Sequence, residues 1–390
     1  MSFYVVKFGG SSVATTSRIK KASEIVSRII SNGNKVVIVT SAMQGVTNQL
    51  IDFAKIFHDS PINREYDAII SSGEQVAAGL FALCLSSVGI KSKSMLGWQI
   101  PIKTSNSFSQ AIIKSINAKK VLDAVFEKDI TPVIAGFQGI SDRDEITTIG
   151  RGGSDATACA LAYALNADEC FIYTDVDGIY TADPRIVLNS KRIEKISYNE
   201  MLELASCGAR VLQSRSVLIA KQCNVKLRVL SSFSETGETI VTSETVYIPK
   251  VKKIAGIAHN MSSCMIKIFG EANQIQIFEM LYDNNIKLDL ISVSENLISF
   301  LIQKPYLGDL KLILENEKIT FDVDNDIGVV SIVGDGVKTD QSIFKKILSI
   351  INTKRIKLKS ISFSDISISL IIPFQQTELL VNEIHHAFFE

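Results

Sequence analysis

One stretch of the chain occurs twice. IKLDLISVSE (286–295) returns as IKLKSISFSD (356–365), identical at six of ten positions. The flanks repeat in the same order. MIKIFG (265–270) corresponds to VSIVGD (330–335), QIFEML (276–281) to SIFKKIL (342–348), and NLISFLI (296–302) to ISISLII (366–372). Each copy closes with a helical run, LKLILEN or ELLVNEIHHAFF. Chance can produce one Ile-rich decamer, but not four concordant elements in order. The pattern predicts a βαββα(β) unit of about 60 residues, present twice.

The first half has a different rhythm. Short β-rich runs alternate with amphipathic helical stretches, and strands are predicted at Phe3–Phe8, Lys35–Thr40, Thr131–Ala135, Cys170–Thr174 and Val225–Leu230. Between the first two, Ile19, Ala22, Val26, Ile29 and Ile30 share one helical face, and Asn32-Gly33 supplies the stop. Strands nearly continuous in Val and Ile, alternating with helices, predict a mainly parallel sheet covered on both faces. The fold class is therefore α/β, followed by the duplicated modules. Expected boundaries are 1–245, 252–322 and 326–390, with Thr242–Lys253 as linker, marked by Pro249 and a Lys cluster.

The chain has 41 Lys+Arg and 41 Asp+Glu, so it has no global electrostatic drive toward nucleic acid or an anionic membrane. Cys84, Cys159, Cys170, Cys207, Cys223 and Cys264 are scattered without a CxxC pair, as small buried hydrophobes in a reducing compartment would be. His58, His259, His385 and His386 offer no metal-ligand spacing, so no protein metal site is expected. No apolar run approaches the roughly 20 residues that span a bilayer, and FYVVKF begins the chain without a basic leader. A cytoplasmic protein with small ligands is the expectation.

Three segments can carry chemistry. Lys7-Phe8-Gly9-Gly10-Ser11-Ser12 follows the first strand and precedes a helix, where glycines admit phosphate and a helix N-terminus adds aligned N–H donors. It is neither a GxxxxGK[ST] loop nor a GxGxxG fingerprint, and an ordinary strand-to-helix turn would look similar. Gly150-Arg151-Gly152-Gly153-Ser154-Asp155 is a second such turn. Arg151 can grip a carboxylate bidentately, and Ser154 or Asp155 can cap the helix. The third is Thr174-Asp175-Val176-Asp177-Gly178-Ile179-Tyr180-Thr181-Ala182-Asp183-Pro184-Arg185, at the carboxyl end of a strand, where α/β proteins bind ligands. Asp-Gly and Asp-Pro are also plain turn chemistry. Thr40–Thr47 and Ser71-Ser72-Gly73-Glu74 complete the set, the latter placing a carboxylate suited to an ammonium group.

Together KFGGSSV, TSAMQGVT, SSGE, AGFQG, GRGGSDATA and YTDVDGIYTADPR resemble, in order, the blocks of the aspartate kinases of the amino-acid kinase family. The tandem repeat is similar to that family's paired ACT regulatory modules, so the resemblance covers essentially the whole chain. It implies a three-layer kinase fold followed by two ferredoxin-like ACT modules. It also implies that Lys7 stabilises the phosphates, Asp155 organises the catalytic groups, and Gly9 and Gly10 lie beside the phosphates. Ser41, Thr174, Asp175, Tyr180, Arg185 and Arg210 would serve the nucleotide. Thr47, Glu74, Arg151, Gly152, Gly153 and Ser154 would serve aspartate. The implied reaction is ATP plus L-aspartate to ADP plus 4-phospho-L-aspartate, with Mg²⁺ accompanying ATP, at the entry to lysine, threonine and methionine synthesis. A lysine or threonine effector at the ACT modules and a homo-oligomer are implied too. Sister kinases acting on glutamate or acetylglutamate, or an amino-acid sensor with an inactive kinase domain, are the alternatives; Lys7, Arg151 and Asp155 are all present.

There are departures from the family pattern. Arg210 stands where many relatives carry Lys, which keeps the charge but changes contact geometry. Val293-Ser294 replaces a common Gln-Asn pair on the effector strand, and Gly270-Glu271-Ala272-Asn273 lacks the usual Pro-Gly.

Overall fold

The computed structural model describes residues 1–58, 63–209, 211–234, 236–243, 254–270, 274–284 and 286–390. Arg210, most of the expected linker and residues 271–273 lie outside them. The chain forms two compact units: Met1–Ile179 with Arg192–Ser206 and Arg210–Pro249, and Tyr180–Lys191 with Cys207–Ala209 and Lys250–Glu390.

In the first unit an eight-stranded sheet runs in the order Lys195–Ser197, Glu238–Thr242, Leu227–Ser231, Glu169–Thr174, Phe3–Phe8, Lys35–Thr40, Thr131–Ala135 and Ser92–Met95. All neighbours are parallel except Leu227–Ser231 with Glu238–Thr242. Five strands were legible from their Val/Ile runs, within one or two residues. The short edge strands, such as Ser92–Met95 and Lys195–Ser197, carry no such run.

Successive side chains of a strand point to opposite faces, and this alternation divides the unit. Val6, Phe8, Val36 and Ile38 pack with Ile19, Ala22 and Val26 of the helix Thr16–Ser31 and with Ala78, Phe81 and Leu85 of the long helix Arg64–Ser87. Val5, Lys7, Val37 and Val39 take the other face, where the helix Gly153–Ala164 packs on these strands and on the helix Ser214–Gln222. A small sheet of Ile113–Ile116, Ile102–Thr104, Gln138–Ile140 and Ile146–Thr148 lies beside it.

The helix Arg64–Ser87 corrects one expectation. By length and composition it is apolar enough to cross a membrane, yet 50% of its most apolar window is buried inside the protein. It carries Asp67 and Glu74 on its buried face, as a core helix can when hydrogen bonds meet them.

The second unit holds two four-stranded antiparallel sheets. One runs Asp289–Ser294, Leu297–Gln303, Ser263–Phe269, Phe321–Asp324; the other runs Gly256–Asn260, Gly328–Val333, Ser367–Ile372, Ser360–Phe363. The repeat is realised element for element, with helices Gln274–Asp283 and Leu307–Asn316 in one copy and Gln341–Thr353 and Thr377–Phe389 in the other. The structure differs from the expected boundaries at Gly256–Asn260, which pairs with the second copy. That copy brings only three strands of its own, and an unpaired edge of Gly328–Val333 would leave backbone groups unsatisfied. Phe321–Asp324 fills the corresponding place in the first sheet.

Tyr180 and Arg185, expected to serve the nucleotide, fall in the segment Tyr180–Lys191, which is part of this second unit. Ala182 and Val187 join the core of Val330, Ile332, Ile368, Leu380 and Ile384. The Ile257 amide donates to Thr181 O at 2.8 Å, and Thr181 Oγ1 meets His385 Nε2 at 2.9 Å.

Candidate active site

The site is assembled at the carboxyl ends of Phe3–Phe8, Lys35–Thr40 and Thr131–Ala135. Their turns are tied together by backbone hydrogen bonds: Gly9 N to Tyr173 O at 3.0 Å, Ser41 N to Phe8 O at 3.1 Å and Gly136 N to Thr40 O at 3.0 Å. Gly10 lets this layer close, since a Cβ there would stand 3.1 Å from Ala42 O.

Lys7, on the penultimate position of its strand, points toward the helix Gly153–Ala164 and forms an ion pair with Asp155 in that helix's first turn. Both are 7% exposed. An ammonium desolvated to this degree needs a partner, and the carboxylate holds it at the mouth between the two glycine turns. Lys7 Nζ lies 3.5 Å from where a Gly9 Cβ would be, so a side chain at position 9 would crowd the cation.

The second glycine turn is steric in origin. Gly152 has φ +72°, and a Cβ there would lie 2.3 Å from Gln213 Cγ. Gly153 packs against Phe137, and Gly136 against Ser154 Oγ, at 2.8 Å from the Cβ each would gain. Phe137 itself has φ +69°, an uncommon conformation for a bulky residue. Its amide donates to Thr157 Oγ1, which donates in turn to Gly153 O. Arg151 is exposed at the apex of this turn.

Glu74 is 3% exposed. Its Oε1 accepts from the Ala42 amide at 3.0 Å, while Oε2 has no partner. Burial pushes its pKa up to about 7, against the pull of that amide. A buried carboxylate with one free oxygen is arranged to receive a cationic group. Thr47 stands in the first turn of the helix Val46–Lys55, which starts from Gly45 at φ +84°.

The structure thus brings Lys7, Gly9, Gly10, Ser41, Glu74, Gly152, Gly153, Ser154 and Asp155 into one connected layer. Thr174 ends the neighbouring strand Glu169–Thr174 and Asp175 follows it, the two joined by Thr174 Oγ1 to Asp175 Oδ1 at 3.0 Å. Tyr180 and Arg185 belong to the second unit, where the Arg185 guanidinium is engaged by Asp183 at 2.6 Å. Arg210 lies outside the described residues. Among the described residues no three His, Cys, Asp or Glu side chains converge as a metal site.

Three functional-looking residues were missed. Asp67 and Gln138 are fully buried, and Gln138 donates to Ser71 O at 3.0 Å while its Oε1 has no partner. Arg215 reaches the Ile149 carbonyl beneath the second glycine turn. Gln138 lies within the AGFQG block and Asp67 left a trace as an acid on the apolar face of a helix, seven residues before Glu74, whereas Arg215 left none.

Residues 2–231 match the model of the amino acid kinase family, and residues 330–388 that of an ACT domain. The chain is 39% identical to an aspartate kinase of Pseudomonas putida over 402 residues, covering 100% of this chain and 98% of that one. It is likewise 39% identical to an aspartokinase of Rickettsia bellii over 399 residues, covering 99% and 97%. In fold it is similar to E. coli aspartokinase III, solved with aspartate and ADP, at a TM-score of 0.84, 23% identity and full coverage of both chains. The same enzyme solved with lysine and aspartate gives a TM-score of 0.79 at 24% identity, again with both chains fully covered.

Proposed function

The chain belongs to the aspartate kinases of the amino acid kinase family, and from that premise we propose how it phosphorylates L-aspartate. The γ-phosphoryl group of ATP passes to the side-chain carboxylate, giving ADP and 4-phospho-L-aspartate. The observation that carries the reading is the Lys7–Asp155 pair held between the two glycine turns. It is a fixed cation where two anions must meet.

The attacking oxygen belongs to a carboxylate already ionised at neutral pH, so no general base is needed. One carboxylate oxygen forms the new bond to the γ-phosphorus as the bond to the β-phosphate oxygen breaks, and ADP leaves with that electron pair. Lys7 faces the charge on the transferring group, Asp155 holds Lys7 in place, and Gly9 and Gly10 bring backbone close to the phosphates. Glu74 takes the α-ammonium of aspartate on its free oxygen, and Arg151 takes a carboxylate, with Thr47, Gly152, Gly153 and Ser154 lining the acceptor site. Ser41, Thr174, Asp175 and Arg210 serve the nucleotide. Mg²⁺ brought with the triphosphate would supply further neutralisation of its charge there.

Residues 1–245 act as the catalytic domain and 252–322 and 326–390 as ACT modules, with the strand Gly256–Asn260 contributed to the second. The protein works in the cytoplasm as a homo-oligomer whose ACT modules pair across subunits. An amino-acid effector, lysine or threonine, binds those modules; a lysine complex of a protein of this fold supports this reading.

The test is ADP release with Mg-ATP and L-aspartate, beside glutamate and acetylglutamate controls, with and without lysine and threonine. Aspartate-dependent turnover supports the reading. Turnover only with a control substrate transfers the function to a sister kinase, and no turnover with any acceptor leaves a sensor.

A further inference from the structure

The turn that presents Arg151 is gripped from two sides by side chains outside the family blocks. On one side stands Asp67 of the long helix Arg64–Ser87, 0% exposed. Its Oδ1 accepts from the Ser109 amide and hydroxyl, both at 3.0 Å, and from Thr148 Oγ1 at 2.9 Å. Its Oδ2 accepts from the Ser109 amide at 2.9 Å and the Thr148 amide at 2.6 Å. Thr148 is the last residue of its strand, two before Gly150, and the Ser109 carbonyl lies 2.8 Å from where a Gly150 Cβ would sit. On the other side the Arg215 guanidinium donates to the carbonyl of Ile149.

A buried group that only accepts is suited to collecting donors from two distant segments at once, because an ionised carboxylate has no proton to place. An amide in its place would turn an NH₂ toward one of the same donors. Asp67 and Glu74 are seven residues apart, two helical turns, and so share one face of the helix. The helix therefore carries both the carboxylate that takes the ammonium group and the carboxylate that anchors the turn bearing Arg151.

We propose that Asp67 is a positioning residue for the acceptor: through Thr148 and Ser109 it sets the place of Arg151 relative to Glu74, so that one rigid helix fixes the distance between the two ends of the amino-acid site. This inference rests on the aspartate kinase reading, in which Arg151 and Glu74 bind the acceptor.

Steady-state kinetics and thermal unfolding of the full-length wild type, Asp67→Asn, Thr148→Val and Asp67→Ala test it. Asp67→Asn is expected to raise KM for aspartate about tenfold, the worth of one charge-assisted hydrogen bond. Thr148→Val, which keeps the amide and loses only the hydroxyl, should raise it about threefold, with KM for Mg-ATP within about twofold in both. Asp67→Ala should lose more than Asp67→Asn, the conservative variant restoring part of the affinity. If Asp67→Ala does not fold, the other two variants decide. An unchanged aspartate KM in folded Asp67→Asn overturns the proposal, as does an equal rise in both KM values. Wild-type protein that turns over no aspartate removes the kinase reading itself, and this inference with it.

Discussion

The Ala42 amide donates to Glu74 Oε1 at 3.0 Å, while the other oxygen of this buried carboxylate has no hydrogen-bond partner. The contact joins the turn after the second strand to the long helix. Gly73 makes it sterically possible, since a Cβ there would come within 2.9 Å of Ala42 Cβ. One oxygen fixes the side chain, and the other is the one our proposal assigns to the ammonium group of aspartate.

A pH dependence follows from this arrangement. The folded-state pKa of Glu74 is raised to about 7 from 4.5 by burial, so the ligand-free protein holds a proton that the unfolded chain has released. Between those values the native state binds more protons, and stability is therefore lost as pH rises from about 4.5 to about 7, by roughly 2–3 kcal/mol. Glu74→Gln should flatten this part of a Tm-versus-pH curve. In the wild type KM for aspartate should fall as pH rises through about 7, because only the ionised carboxylate pairs with the ammonium group. A pH-independent KM over that range would remove Glu74 from the acceptor site.

Lys7→Ala is expected to lower kcat by about a hundredfold or more, the usual cost of losing a charge aimed at a transition state. It also strands Asp155, so Lys7→Ala with Asp155→Asn should recover stability without recovering kcat. Rapid-quench measurement of the phosphoryl-transfer step, with Tm recorded for each variant, separates the two effects. Near-normal kcat in Lys7→Ala would refute the role.

Gly152→Ala combines a left-handed backbone with a collision against Gln213. It should destabilise the folded protein by about 1–3 kcal/mol and raise KM for aspartate. Adding Gln213→Ala relieves the collision but not the backbone cost. The double variant should therefore recover only part of the lost Tm in a thermal melt.

In the second unit the Thr181 hydroxyl meets His385 Nε2 at 2.9 Å and accepts from the Lys191 amide at 2.9 Å. Thr181→Val keeps the shape and removes both contacts, leaving buried polar groups unmet. A loss of about 1–3 kcal/mol is expected, read as about 2–6 °C in Tm by calorimetry.

What could be read directly from residue order was local. Nearly continuous Val/Ile runs gave the inner strands, the Ile19–Ile30 stripe gave its helix, and the duplicated decamer predicted a duplicated module. Glycine turns beside Lys7 and Asp155 announced the site, because a backbone that must approach an anion or a neighbouring chain excludes side chains wherever it occurs. These features depend on a few bonded neighbours, so they are visible without the fold.

Everything that required a distant partner was decided by tertiary structure. Gly256–Asn260 reads as the start of the first module, but the open edge that needed it belongs to the second. Tyr180 and Arg185 look like part of a nucleotide loop, yet Ala182 and Val187 beside them bury their surface in a core that runs from Ile254 to Phe389. Asp67 finds Ser109 and Thr148, 42 and 81 residues away, and only there does its charge acquire a use. Sequence can show that a carboxylate sits on an apolar helix face. Which donors meet it depends on how strands and turns from separate parts of the chain are closed over that face.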